Sequence, residues 1–81
     1  MMIVKVFSKE NCIQCKMSKK LLDEIGVLYT EINISENDEA LKYLKDQGVL
    51  SAPFIEVWNV KKSPISWSGF NPAKINKLKK Y

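Results

Sequence analysis

The two cysteines of this chain, Cys12 and Cys15, stand two residues apart in the stretch Asn-Cys-Ile-Gln-Cys-Lys, Asn11 to Lys16. Thiols at that spacing can clamp a metal, close a permanent disulfide, or carry electron pairs by thiol–disulfide exchange. Each chemistry asks something different of the rest of the chain. A structural zinc site wants four ligands, usually cysteine or histidine, and here there are two cysteines and no histidine. A metal or iron–sulfur cluster bridging two chains, with four thiolates between them, stays open. Permanent disulfides belong to oxidising compartments, whereas cytosolic reductants keep thiols reduced. The stretch from Met1 to Cys12 has only a short apolar patch and no small-residue cleavage site, so no signal peptide is expected and the expected compartment is the cytoplasm. There, a pair of this kind reads best as redox-active.

The missing histidine also removes an imidazole base, an imidazole ligand and a neutral-pH histidine switch. Chemistry falls mainly to the thiols. The net charge of +4 comes from 13 lysines against nine carboxylates, with no arginine. Arginine forks are the usual means of gripping phosphates and reading bases, and the lysines are dispersed apart from Lys74, Lys77, Lys79 and Lys80. We therefore expect solvated basic faces and no nucleic-acid partner. No apolar run approaches the ~18–20 residues of a membrane span, so no membrane association is expected. With 81 residues, one domain over residues 1–81 is expected.

Hydrophobic periodicity places the cysteines on the elements around them. Met2 to Phe7 is short, apolar and β-branched, as expected of a strand buried on both faces. From Ile13 the apolar residues Met17, Leu21 and Ile25 recur every four, with Leu22 beside them, which is one face of a helix closed by Gly26. A second strand alternates at Leu28, Ile32 and Ile34. Ser35 is the expected cap of a second helix, with Asp38 in the capping-box position, inner residues Ala40, Leu41 and Leu44, and Gly48 at its end. Phe54 to Trp58 reads as a third strand, Asn59 to Ser63 as a hairpin loop, and Pro64 to Trp67 as a fourth strand. Asn71 can cap a last helix with Pro72 at its first position, burying Ile75 and Leu78. The order is β-α-β-α-β-β-α: an α/β fold with a four-stranded mixed sheet, helices on both faces, and a parallel first pair of strands.

This arrangement puts Cys12 at the start of the first helix. Unpaired N–H groups and the helix dipole favour negative charge there, so its thiol should ionise more readily than at the free value of ~8.5. Lys9 and Lys16 could assist. Cys15, one turn later, is positioned as the buried, less reactive partner.

Several segments together, "CIQC" after a strand, "APFIEV", and "WSGFNPAKI" before the last helix, resemble the glutaredoxin-like NrdH-redoxins of the thioredoxin superfamily. The resemblance covers essentially the whole chain. It implies a thioredoxin/glutaredoxin fold and a thiol–disulfide oxidoreductase, with Cys12 as nucleophile and Cys15 as resolving thiol. It implies that Pro53 is a cis-proline beside the disulfide, with the Ser51 and Ala52 backbone free to pair with a substrate segment. Trp67, Ser68, Gly69 and Phe70 would order the loop near the thiols and help to meet a reductase. Lys9, Ile13 and Gln14 join the residues expected to face a substrate or partner. Glutathione-using glutaredoxins carry a Gly-Gly and Asp pattern where this chain has Ser68-Gly69-Phe70-Asn71. The implied electron source is therefore NADPH through a flavoprotein thioredoxin reductase, and the implied recipient a class Ib ribonucleotide reductase. No bound cofactor and a monomer are expected. A glutathione-dependent glutaredoxin is the nearest alternative. The chain departs from the family at Asn71, where arginine is common; Asn71 keeps the cap but not the charge.

Overall fold

The structure, a computed structural model, describes residues 2–81. The strands are β1 (Met2–Ser8), β2 (Thr30–Asn33), β3 (Phe54–Asn59) and β4 (Lys62–Ser68). The helices are α1 (Ile13–Glu24), α2 (Asp38–Asp46) and α3 (Pro72–Lys77), which runs into a 3-10 turn at Leu78–Lys80. The sheet order is β2-β1-β3-β4, with β1 parallel to β2 and antiparallel to β3, and β3 antiparallel to β4. This is the expected mixed sheet of a thioredoxin-type fold.

Alternation along the central strands divides the core into two layers. Val4, Val6, Ile55 and Val57 face α1 and α3 and pack with Leu22, Trp67, Ile75 and Leu78. Phe7 and Phe54 face the other way, beneath Ala40 and Leu44 of α2. The carboxylate of Glu56, buried in β3, accepts a hydrogen bond from the Tyr43 hydroxyl, which raises the pKa of that phenol. The second layer is shorter than expected. Ile3 and Trp58, directly paired across β1 and β3, lie beyond the reach of α2 and stay 44% and 45% exposed. So β1 is buried on both faces only toward its Ser8 end.

Four local expectations are corrected. The buried face of α1 is Cys15, Ser18 and Leu22, not the stripe beginning at Ile13 and Met17, which are 74% and 44% exposed. Leu22 anchors the helix in the core, and Met17, five residues earlier, stands about 140° around the axis from it. Leu28 projects into solvent before β2 begins. The hairpin turn shrinks to Val60 and Lys61, so β4 starts at Lys62; Pro64 is tolerated because β4 is an edge strand.

The fourth correction concerns the α2 cap. Asn37 Oδ1 accepts the Ala40 N–H at 3.0 Å, while Ser35 Oγ accepts the Glu10 N–H at 3.2 Å and ties this loop to the one before Cys12. With Asn37 as the cap, the acidic pair Asp38 and Glu39 fills the first turn, where the dipole favours it. The cap of α3 is as expected: Asn71 Oδ1 accepts the Lys74 N–H and Pro72 opens the helix. Asn37→Ala should lower the stability by about 1 kcal/mol in urea titration. A larger loss from Ser35→Ala would return the cap to Ser35.

Candidate active site

Three loops converge at the edge of the sheet where β1 ends, β3 begins and β4 ends. The first runs from Lys9 to Asn11, whose φ of 55° is a left-handed turn that asparagine tolerates. It delivers Cys12 to the N-cap of α1, with extended dihedrals (φ −115°, ψ 105°) and its Sγ accepting the Cys15 N–H at 3.2 Å. Cys12 and Cys15 form a disulfide, with Cα atoms 5.2 Å apart. Cys12 is partly exposed, whereas Cys15 is 2% exposed. The expected asymmetry of burial is therefore present.

The second loop brings Ser51, Ala52 and Pro53 beside the thiols. The Ala52–Pro53 peptide is cis, and the Ala52 carbonyl oxygen lies 3.9 Å from Cys12 Sγ. The third loop carries Ser68, Gly69 and Phe70. The Gly69 N–H donates to the Pro53 carbonyl at 2.8 Å, and the Phe70 N–H donates to Gln14 Oε1 at 3.2 Å. Thus the residue between the cysteines is bonded directly to the distant loop, a link between two motifs that sequence named separately. Gly69 has φ +83°, and a Cβ there would stand 3.2 Å from Gln14 Oε1, so left-handed backbone and close approach both require glycine.

Trp67 is buried in the larger core cluster, with the Lys74 ammonium 5.8 Å from its ring centroid. It supports the loop from below instead of presenting its ring to a partner. Pro53 is also buried; Lys9, Ile13, Gln14, Ser51 and Ser68 are exposed, and Ala52, Gly69 and Phe70 are intermediate. A surface cavity of about 510 Å³ opens at the dithiol between Lys9, Lys16 and Lys19. Beside it, Leu41, Leu44, Val49, Leu50, Ser51 and Ala52 line a more apolar one of about 260 Å³. Lys9 borders both. The first turn of α1 holds no acidic residue, and Lys9, Lys16 and Lys19 border the cavity at Cys12. Among the described residues, no group of three or more His, Cys, Asp or Glu side chains could hold a metal ion, and no helix is long and apolar enough to cross a membrane.

A second network, not anticipated from sequence, braces the floor of the site. Lys19 Nζ and Ser8 Oγ both bond Glu31 Oε2, at 2.6 and 2.8 Å, joining α1, β1 and β2. Its signal in the sequence was weak, because an exposed lysine and a glutamate twelve residues apart are ordinary surface residues.

This geometry is that of a thioredoxin-fold thiol–disulfide oxidoreductase. Residues 4–60 match the glutaredoxin family. The chain is 41% identical over 76 residues to the glutaredoxin-like protein NrdH of Lactococcus lactis subsp. cremoris, covering 94% of this chain and 99% of that one. It is 30% identical over 77 residues to the protein of the same name from Escherichia coli, covering 95% and 89%. The solved structure of NrdH-redoxin from Escherichia coli superposes with a TM-score of 0.78 at 31% identity, over 93% of this chain and 92% of that one. Chloroplastic thioredoxin z, at 18% identity, shares the fold with a TM-score of 0.80, over 99% of this chain and 76% of that one. The chain belongs to the glutaredoxin family, within its glutaredoxin-like NrdH group.

Two measurements probe this edge. Gly69→Ala should cost about 1–2 kcal/mol in urea titration from the left-handed backbone alone, with Gln14→Ala partly relieving the added crowding. The hydrogen bonds from Lys19 and then Ser8 hold the Glu31 carboxyl below its usual pKa range. A depressed folded-state pKa stabilises at pH values above the unfolded one and is lost as pH falls through the folded one. Glu31→Gln should therefore lower stability at neutral pH and flatten the acid limb of the stability curve; an unchanged acid limb would show the network to be inert.

Proposed function

We propose that this chain is a protein electron carrier that reduces the active-site disulfide of a ribonucleotide reductase, of class Ib, and is itself recharged from NADPH by a flavoprotein thioredoxin reductase. The observation carrying the reading is the unequal pair at the start of α1, with Cys12 partly exposed, its Sγ accepting the Cys15 N–H, and Cys15 enclosed. In the reduced protein that N–H, the helix N-terminus and the nearby lysines favour a thiolate on Cys12. The thiolate attacks a substrate disulfide, forming a Cys12–substrate bond and releasing the other substrate sulfur as a thiol. Cys15 then attacks Cys12 Sγ, re-forming the disulfide and releasing the second substrate thiol. Two electrons pass from the dithiol to the substrate.

A protein substrate suits the surroundings better than a small thiol. Ile13 at the dithiol cavity and Leu50 at the neighbouring one are exposed apolar side chains, Leu50 being 96% exposed. The lysines around Cys12 suit a partner with acidic residues beside its disulfide. An extended partner segment would lie along Ser51 and Ala52, whose backbone borders the dithiol. The Escherichia coli relative is described as a glutaredoxin-like protein with a thioredoxin-like activity profile, and the same profile is proposed here. The absence of the Gly-Gly-Asp pattern beside α3 fits poor use of glutathione.

Cys12→Ser should abolish disulfide reduction, and Cys15→Ser should accumulate a mixed disulfide with the substrate, seen by non-reducing electrophoresis. Turnover of ribonucleotide reductase should be supported by NADPH with thioredoxin reductase far better than by glutathione with glutathione reductase. The reverse preference would sink the proposed electron source, and full activity in Cys12→Ser would sink the assignment of roles.

A further inference from the structure

Ser18 lies one turn beyond Cys15 on the buried face of α1, fully enclosed, and its Oγ has no hydrogen-bond partner. An enclosed hydroxyl without a partner opposes folding, and alanine would occupy a helix here without that penalty. Serines inside helices usually bond back to the carbonyl one turn earlier; this one does not. Residues at i and i+3 share a helix face, with Cβ atoms about 5–6 Å apart, which places Cys15 beside Ser18 on the buried face of α1. With the disulfide closed, the Cys15 sulfur is bonded to Cys12 and offers no thiolate.

We propose that Ser18 is a positioning residue of the redox reaction, its hydroxyl donating a hydrogen bond to Cys15 Sγ once the disulfide opens and so stabilising the resolving thiolate. The inference rests on the reading of Cys15 as the resolving thiol. In that step Cys15 Sγ bonds to Cys12 Sγ, the Cys12–substrate bond breaks, and the electron pair leaves on the substrate sulfur. The proton given up by Cys15 is matched by the one that substrate sulfur takes up, so no further reactant is needed.

The environment leaves this task to a hydroxyl. The core packed against that face is built from Val6 of β1, Ile55 of β3, Trp67 of β4 and Ile75 of α3. The buried Glu56 of β3 pairs with Tyr43 on the α2 side of the sheet. Glu31 of β2 is engaged by Lys19 and Ser8. The charges that border the site, Lys9, Lys16 and Lys19, together with Lys74 over Trp67, are cations. Lys19, one turn beyond Cys15 and bordering the same cavity, is held in an ion pair by Glu31, and the other lysines favour a thiolate only through space.

The test titrates Cys15 alone, in the Cys12→Ser background, by the ultraviolet absorbance of its thiolate. Ser18→Ala should reduce the thiolate fraction near pH 7 about tenfold, as loss of one hydrogen bond to a charged sulfur implies. Ser18→Thr, which keeps the hydroxyl, should restore it. A folded Ser18→Ala variant with an unchanged Cys15 titration would overturn the proposal, whatever its melting temperature. So would a folded Ser18→Thr variant that titrates like the alanine. Reversed cysteine roles would show separately, as reductase activity surviving in Cys12→Ser.

Discussion

The hydrogen bond from the Cys15 N–H to Cys12 Sγ is the contact on which this site depends. A helix must begin somewhere, and its first N–H groups need acceptors. Here the acceptor is the sulfur that does the chemistry. One contact thus caps α1 and ties the sulfur of Cys12, at the rim, to the backbone of the enclosed Cys15. Capping and reactivity are the same interaction, so neither can be altered alone.

The other two loops are braced to this helix start by backbone donors. Gly69 reaches Pro53, and Phe70 reaches the Gln14 side chain. Each of the three segments approaching the dithiol therefore touches another, and none depends on a long flexible side chain apart from Gln14. Main-chain bonds of this kind hold a constellation to within fractions of an ångström, which is what attack along a defined S–S direction requires. It also explains why the motif around Gly69 is read so readily in sequence. The residues that look like a partner signature are partly there to close the frame.

Much of this was legible from residue order. Strand and helix succession follows from periodicity, as do the helix start at Cys12 and the cap at Asn71, where a polar or sulfur side chain precedes an apolar repeat. The missed features share a cause. The apolar Ile13 and Met17 point sequence reading to the wrong rotation of α1, because Cys15 is itself a buried hydrophobe and defines the true inward direction. Counting i+3 and i+7 from Cys15 gives Ser18 and Leu22. The Asn37 cap is hidden behind Ser35 because both residue types cap well and local sequence does not say which backbone N–H each side chain will meet. The Lys19–Glu31–Ser8 network and the Gln14–Phe70 bond join residues far apart in the chain, and no local pattern encodes them.

The opposite pole of the molecule has its own closure. Met2 pairs with Asn59, whose side-chain amide donates to the Tyr81 carbonyl, while the Tyr81 hydroxyl reaches the Ser63 carbonyl and Lys62 lies over its ring. Both ends of the described chain therefore sit together, a full strand length from the dithiol edge. A tether placed at that pole, to a resin, an electrode or a second folded unit, leaves the sulfur-bearing edge pointing outward. The same proximity makes the chain a natural scaffold for joining its ends and reopening it at the exposed Val60–Lys61 turn.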